Sequence, residues 1–317
     1  MISVIIPVYN VERYIGACVQ SLLNQVYREF DIIIVNDGSF DRSAEIAESL
    51  LSAQREIPYQ IISTGNRGVS AARNTGINRA RGKYVVMVDA DDVLSPFFLF
   101  NFYEQSQEFP NTNIYSCGFS VMNEKYSGEF SEKKEKDERL SFQEAQMAFF
   151  ERRIKFLLPA LMIRVSFINS NGIRFDEAVR YSEDVQFIWR CLAYNRETVV
   201  HTGTRYYNYI LHSGSTMTAS GVEKILSFCD GLDRLYKETE NLFCEPVKSQ
   251  LRTRMYFSMI HGAAKMLLYK DFNDLYSRSN CKKYICRQIT EGGIKPRVAA
   301  LSLIMSRRLG YKIMRRF

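Results

Sequence analysis

Residues 84–92 read Tyr84-Val85-Val86-Met87-Val88-Asp89-Ala90-Asp91-Asp92. The apolar run has the length of a buried strand, and it stops abruptly in carboxylates. Two carboxylates one residue apart, where a strand frays into a loop, can turn toward one ligand. They suit a hard divalent cation that also holds phosphate oxygens. An acidic turn that caps the next helix would use the same residues. What lies upstream decides between the two.

Three further apolar runs precede this one. Residues 2–6 read as a buried strand that Pro7 terminates. Phe30–Val35 is a second strand, ending in Asn36-Asp37-Gly38-Ser39, and Tyr59–Ser63 is a third. Between them, Tyr14/Ile15, Cys18/Val19 and Leu22/Leu23 recur at helical spacing, predicting a helix from about Val11 to Gln25. A second helix is expected over Asp41–Gln54, with Asp41 or Ser39 as N-cap, and a third over Val69–Arg79. Strand and helix in alternation define an α/β domain, and continuous Val/Ile strands fit a sheet covered on both faces. Such sheets bind ligands beyond the carboxyl ends of their strands. That is where Pro7-Val8-Tyr9-Asn10, Asn36-Asp37-Gly38-Ser39 and Asp89-Ala90-Asp91 fall.

Two other segments could serve a nucleotide. Asp37 could accept hydrogen bonds from a base or ribose, or simply close an Asx-turn. Gly68-Val69-Ser70-Ala71-Ala72-Arg73-Asn74 opens a helix with small residues, so phosphate could approach the backbone and Arg73 could reach it. Close packing of that helix on the sheet explains the same composition.

Beyond residue 95 the pattern loosens. Ser95-Pro96 reads as a helix start, Asn113–Ser120 as a strand, and the charged stretch Glu124–Arg139 as an exposed loop or hairpin tip. Helices are expected near 142–153 and 182–194, and strands near 197–201 and 204–210. From Gly221 the chain reads as helical, in segments near 221–239, 246–270, 273–288 and 297–316. The expected division is a domain over 1–220, split at about residue 95 into nucleotide and acceptor halves, and a helical region over 221–317.

Composition excludes several classes. The 317 residues are 46% hydrophobic and 24% charged, an ordinary globular balance. Seven cysteines without a C-x-x-C pair argue against a disulfide framework or structural zinc, and suit a reducing compartment. The opening run lacks a basic n-region and a cleavage site, and no stretch nears the ~20 apolar residues of a bilayer span. The first strand is not followed by G-x-G-x-x-G, which disfavours a dehydrogenase. It is not followed by a Gly-rich basic loop either, which disfavours a nucleotidyltransferase.

Taken together, Val4-Ile5-Ile6-Pro7-Val8-Tyr9-Asn10, Ser21–Gln25, Ile33–Ser39, Gly65–Gly76 and Val88–Asp92 resemble, in order and spacing, the family 2 glycosyltransferases. They cover about the first 95 residues. Asn36 departs from the second Asp that the family often has there. The resemblance implies a GT-A (Rossmann-like) fold with a mixed sheet. It also implies inverting transfer of a sugar from a nucleoside-diphosphate donor, with UDP favoured, to an acceptor hydroxyl. Pro7, Val8 and Tyr9 would line the base pocket, with Asp37 bonded to the base. Gly68 and Arg73 would lie near the nucleotide, Asp89 near the ribose with Ala90 beside it, and Asp91 on Mn²⁺ or Mg²⁺. The catalytic base would come from Glu183-Asp184, Asp184 being the base and Glu183 its neighbour. The alternative is that Ser182, Glu183 and Asp184 merely cap a helix. His212, in His212-Ser213-Gly214-Ser215-Thr216, would contact metal or phosphate; His201 and His261 carry no role. A non-catalytic subunit or scaffold of a glycan synthase remains the alternative to an enzyme.

The net charge of +7 is concentrated in the tail. Cys281–Phe317 holds ten Lys/Arg against Glu291 alone, leaving the rest of the chain slightly acidic. Residues 294–317 mix seven Lys/Arg with Leu, Ile, Met and Phe, a composition suited to peripheral contact with anionic lipid rather than nucleic acid. The expected setting is cytoplasmic, at the inner face of the membrane of a bacterium. The acceptor there would be a glycan or lipid-linked glycan of the cell surface or lipopolysaccharide. The helical third could also pair as a homodimer.

Overall fold

The computed structural model describes residues 1–123, 135–179, 182–212, 231, 234–243, 247–248, 303 and 307–314. The chain forms two compact units, one from residues 1–145 and 154–215, the other from 146–153 and 216–317. The first unit holds every residue singled out above for chemistry. The expected helices near 221–239, 246–270 and 273–288 lie largely outside the described residues, as does His261.

The first unit is built on a nine-stranded mixed sheet. Its parallel half is β3 (Tyr59–Ser63), β2 (Phe30–Asn36), β1 (Ile2–Val8) and β4 (Tyr84–Met87), side by side in that order. The sheet continues through β8 (Leu161–Arg164), β6 (Ile114–Asn123), β9 (Val199–Leu211) and β5 (Val93–Leu94), with β7 (Glu138–Leu140) also on β9. β8 runs antiparallel to β4 and β6, while β6 and β9 are parallel. Val4, Ile5 and Ile6 on β1, and Ile32, Ile33 and Ile34 on β2, are all fully buried. Successive residues of a strand face opposite ways, so both sheet faces are covered.

The helices supply that cover. Helix α1 (Ile15–Leu23) buries Ile15, Cys18, Val19 and Leu22, one stripe at 3.6-residue spacing. It is shorter than Val11–Gln25: residues 12–14 form a turn before it, and the amides of Val11 and Glu12 are held by Ser43 Oγ and Asp41 Oδ2. Helix α2 (Ser43–Ser52) buries Ser43, Ala47 and Leu51, and α3 occupies Val69–Arg79 as the small-residue run predicts. In α3, Gly76 faces β1 so closely that a Cβ there would run into Ile5 Cγ2. Gly76→Ala is therefore expected to overpack the α3–β1 contact and to lower stability by about 1–3 kcal/mol. Equilibrium urea unfolding measures this directly. The remaining helices of this unit are α4 (Phe98–Glu108), α5 (Phe142–Phe150, whose second half belongs to the other unit), α6 (Val165–Ser170) and α7 (Glu183–Tyr194).

Three expectations need correction, and one strand went unread. Pro7 does not terminate β1; it sits in register with Val35. Ile5 sends its carbonyl to Val88 on the β4 side, and Pro7 shares that orientation. Its missing N–H thus points past the end of the β1–β4 ladder, which closes at Ile5–Met87. The segments near 197–201 and 204–210 are one strand, β9. Gly203 is not a break there but a close approach, its space being filled by the backbone of Glu135. Glu138 and Arg139 are not loop but lie in β7, paired with Val200 and His201. Strand β8 was not anticipated, since a four-residue apolar run has no period to read.

In the second unit, helix α8 (Arg307–Met314) is described. Its Tyr311 and Met314 are buried, as is Leu303, while Arg307, Arg308 and Lys312 are exposed. Most of the apolar side chains described in this tail are thus packed within the protein, Ile313 being half-buried, and the cationic residues are exposed. Among the described residues no helix is long and apolar enough to cross a membrane.

Candidate active site

Strands β1, β2 and β4 end together, and their C-terminal residues gather the polar side chains. At the end of β4, Val88 N–H still donates to Ile5 O, and the chain then turns through Asp89, Ala90, Asp91 and Asp92. These carboxylates do different work. Asp92 is fully buried, accepts from Tyr207 Oη at 2.5 Å and from Ile210 N at 2.8 Å, and so pins the turn to β9. Burial, then the charges of Asp89 and Asp91, push its pKa up to about 9, so the anchor is neutral at physiological pH. Asp89 and Asp91 keep about a quarter of their side-chain surface exposed.

Asp37 follows β2 and is buried. Its Oδ1 accepts from Arg67 N at 2.9 Å and Thr64 Oγ1 at 3.1 Å, and its Oδ2 from Gly68 N at 2.7 Å. The anion at the N-terminus of α3 is therefore Asp37 itself. Gly68, expected near the nucleotide, thus donates its amide to Asp37. Gly68 has φ +92°, a conformation that lets the loop turn its amides onto the carboxylate. The Asx-type bond of this turn belongs to Asn36, whose Oδ1 accepts from Ser39 N at 3.0 Å.

Arg73 is also placed differently from the expected nucleotide contact. Its guanidinium is buried on α3, donating to Asp89 Oδ1 at 2.8 Å and to Glu183 Oε1 at 2.9 Å, and lies 5.4 Å from the centroid of Phe175. Burial opposes its charge, but Asp89 and Glu183 more than offset this, and the net shift is upward. Arg73 thus joins the strand carrying Asp89 to the helix carrying Glu183 and Asp184. Two of its five N–H donors are engaged in this way, and Nε has no hydrogen-bond partner among the described residues.

Asp184 stands in the first turn of α7. Burial, and then the neighbouring charge of Glu183, raise its pKa to about 6. Ser182 precedes it at φ 61°, ψ 28°, a left-handed conformation uncommon outside glycine, and its side chain makes no cap bond. Ser182 thus occupies the N-cap position without a side-chain cap bond, while Glu183 and Asp184 fall in the first turn as the helix-start reading has them. Backbone strain of this kind persists where surrounding contacts hold it, commonly at functional sites.

His212, just past β9, bonds Asp91 Oδ2 through Nε2 at 2.7 Å, and its ring stacks on Tyr14 with centroids 4.5 Å apart. A carboxylate oxygen and an imidazole nitrogen are both suitable donors for Mn²⁺, and Asp91 alone suits Mg²⁺. Among the described residues no three His, Cys, Asp or Glu side chains form a cage. One or two protein ligands fit a cation whose remaining sites are taken by phosphate oxygens and water.

Several contributors carry no sequence signal. Tyr207 reaches Asp92 from β9. Asn74 on α3 bonds the backbone of Phe175 in both directions, through Nδ2 to the carbonyl and through Oδ1 to the amide. Phe175 stacks on Phe187 of α7 at 4.1 Å. Their residue types are ordinary, and the partners of Tyr207 and Asn74 lie about a hundred positions away. His201 is buried against Ser116 Oγ at 2.8 Å, with no place in the site.

The strand order defines a mixed α/β domain of GT-A type, and the sequence agrees. It matches the model of glycosyl transferase family 2 over residues 3–170, just over half of the chain. The chain belongs to that family. It is similar to the glycosyltransferase EpsJ of Bacillus subtilis (strain 168), at 36% identity over 191 residues, which are 59% of this chain and 54% of EpsJ. It thus spans about half the length of that relative. Two solved structures share the fold. S. aureus TarS 1-349 in complex with UDP-GlcNAc superposes with TM-score 0.65 at 16% identity, covering 96% of this chain and 91% of that one. The mannosyltransferase PcManGT from Pyrobaculum calidifontis, in complex with GDP-Man and Mn²⁺, gives TM-score 0.60 at 15% identity, covering 99% and 83%.

Proposed function

We propose that the first unit is an inverting glycosyltransferase that moves a sugar from a nucleoside-diphosphate sugar, UDP-linked for preference, to an acceptor hydroxyl. The observation that carries this reading is the Arg73 bridge. One buried guanidinium brings Asp89, beside the donor carboxylates, together with the start of α7, where Asp184 has a proton affinity suited to a base. The solved complexes of TarS with UDP-GlcNAc and of PcManGT with GDP-Man and Mn²⁺ support the donor class.

In this reading Pro7, Val8 and Tyr9 line the base pocket. Asp37 shapes it by holding the Gly65–Gly68 loop and keeps one Oδ2 lone pair for the base. Asp89 and Ala90 face the ribose. Asp184 accepts the proton of the acceptor hydroxyl as that oxygen bonds to the anomeric carbon from the face opposite the leaving diphosphate. Glu183, held by Arg73, keeps α7 in place. Mn²⁺ or Mg²⁺ on Asp91 and His212 would supply positive charge to the departing nucleoside diphosphate.

Calorimetry with UDP, GDP and ADP, with and without Mn²⁺, tests the donor site. One nucleotide is expected to bind in a metal-dependent manner. Asp91→Ala is expected to weaken it by at least about tenfold, the loss of one good charge-assisted interaction. No nucleotide binding by folded protein refutes the reading and leaves a non-catalytic scaffold.

The tail supports a second element of the proposal, peripheral contact with an anionic membrane at its cytoplasmic face. Exposed Arg307, Arg308 and Lys312 would act electrostatically, because most of the neighbouring apolar side chains are already buried. A lipid-linked acceptor in surface-glycan synthesis would then be within reach, an inference by analogy with family members. Arg307→Glu/Arg308→Glu should abolish co-sedimentation with phosphatidylglycerol vesicles at low salt and leave neutral vesicles unaffected. Equal binding by the variant removes this element.

A further inference from the structure

The loops that follow β1 and β2 are tied to each other. Asn10, at φ 52°, accepts from Phe40 N through Oδ1 at 3.0 Å and donates its own N–H to Ser39 Oγ at 3.2 Å. Glu12 N–H donates to Asp41 Oδ2 at 3.0 Å, and Arg42 N–H returns to Glu12 Oε2 at 3.1 Å. A loop bonded this way holds its side chains in place. Yet Phe40, at its tip, is 85% exposed. A single exposed ring would be ordinary, but this one has an exposed aromatic partner at the end of the neighbouring strand.

Tyr9, 44% exposed at the end of β1, stands edge-on to Phe40, with centroids 6.2 Å apart and planes at 88°. The two rings form a right-angled corner above the ends of β1 and β2, three residues beyond Asp37. We propose that Phe40 is the outer wall of the nucleobase pocket, stacking on the base of the donor nucleotide while Tyr9 closes the adjacent side. This rests on the donor reading above and adds a residue to it. A planar base suits such a corner, since it offers a π-face to one ring and an edge to the other.

The position favours the base over the acceptor. In the sheet order β2-β1-β4, Phe40 stands at the β2 end, whereas Asp89, Asp91 and, through Arg73, Asp184 gather at the β4 end. Two strand spacings, about 10 Å, separate base-side from sugar-side chemistry. A nucleoside diphosphate laid across the strand ends spans that distance.

The test compares wild type, Phe40→Ala and Phe40→Trp with UDP, GDP, ADP and inorganic pyrophosphate, all with Mn²⁺. Phe40→Ala should weaken the nucleotide that wild type binds by about tenfold and leave pyrophosphate within about twofold, because stacking acts on the base alone. In Phe40→Trp the new indole is exposed, whereas the native Trp189 is buried. Its fluorescence should be quenched by nucleotide and not by pyrophosphate. Equal nucleotide affinity in wild type and Phe40→Ala, with no quenching in Phe40→Trp, overturns the proposal while the donor site stands. A raised acceptor KM with unchanged nucleotide affinity overturns it by moving the ring to the acceptor side. Absence of nucleotide binding in wild type removes the donor site first, and this wall with it. Phe40 is exposed, so the variants should fold, and a thermal melt verifies it.

Discussion

Asp184→Asn is expected to lower kcat by about 10²–10⁴-fold, the usual share of a positioned general base. Nucleotide affinity should stay within about threefold, because Asp184 faces the acceptor in the proposed mechanism. In wild type, log kcat/KM should climb with pH and level off above about 6, where Asp184 is deprotonated. That limb should vanish in the variant. Asp184→Asn should also be more stable than wild type. The carboxyl titrates near 3.8 when unfolded and near 6 when folded, so the native state disfavours its charge. That penalty is absent below the unfolded pKa, grows as pH rises between the two values, and is complete above the folded one. It is on the order of 3 kcal/mol at neutral pH, and the variant's advantage should widen by about 1 kcal/mol between about pH 5 and about pH 8. Thermal melts at the two pH values measure it. A variant less stable than wild type at both would show that Asp184 serves the helix rather than the reaction.

Arg73→Met is expected to be the most destabilising of these changes, by about 3–5 kcal/mol, because it leaves Asp89 and Glu183 without their buried cation. Arg73→Lys should recover only part of this. The guanidinium meets two carboxylates through two separate nitrogens, and a single ammonium cannot reproduce that fork. The cause can be separated from lost packing on Phe175. If stranded charge is responsible, Arg73→Met/Asp89→Asn/Glu183→Gln should be markedly more stable than Arg73→Met alone. Chemical denaturation of the three proteins decides it. Where the variants still turn over, the acid limb of the pH profile should move upward, since Arg73 also lowers the pKa of Asp184. A limb that stays near 6 would mean that Arg73 acts on stability alone.

The parallel half of the sheet was legible because its signals are local. Each strand carries a short Val/Ile run, α1 carries its own periodicity within about three turns, and α3 is marked by its small residues. The carboxyl-end loops were legible for the same reason. Past residue 95 strand and helix no longer alternate in a regular order. Residues 161–164 have no period to read, and Gly203 and Pro7 looked like breaks when each is accommodated by a neighbour. Gly203 makes room for the backbone of Glu135, and Pro7 points beyond the end of β4.

The chain by itself determined which residues stand at the strand ends. Strand length and apolar pattern set where each strand stops, and Asp37, Asp89 and Asp91 lie next to those stops. The tertiary structure decided what each group faces, because that depends on partners far away in sequence. Arg73 carries the same charge whether it meets a phosphate or two carboxylates, and the packing of α3 and α7 makes it a bridge. Asp37 would accept a base as readily as an amide, and the turn at Gly68 gives it amides. Asp92 and Asp91 are neighbours, yet the approach of β9 buries one against Tyr207 and leaves the other beside His212. Short-range pattern specifies backbone position. Charge, proton affinity and availability to a ligand are set by burial and by partners that only the folded chain brings together.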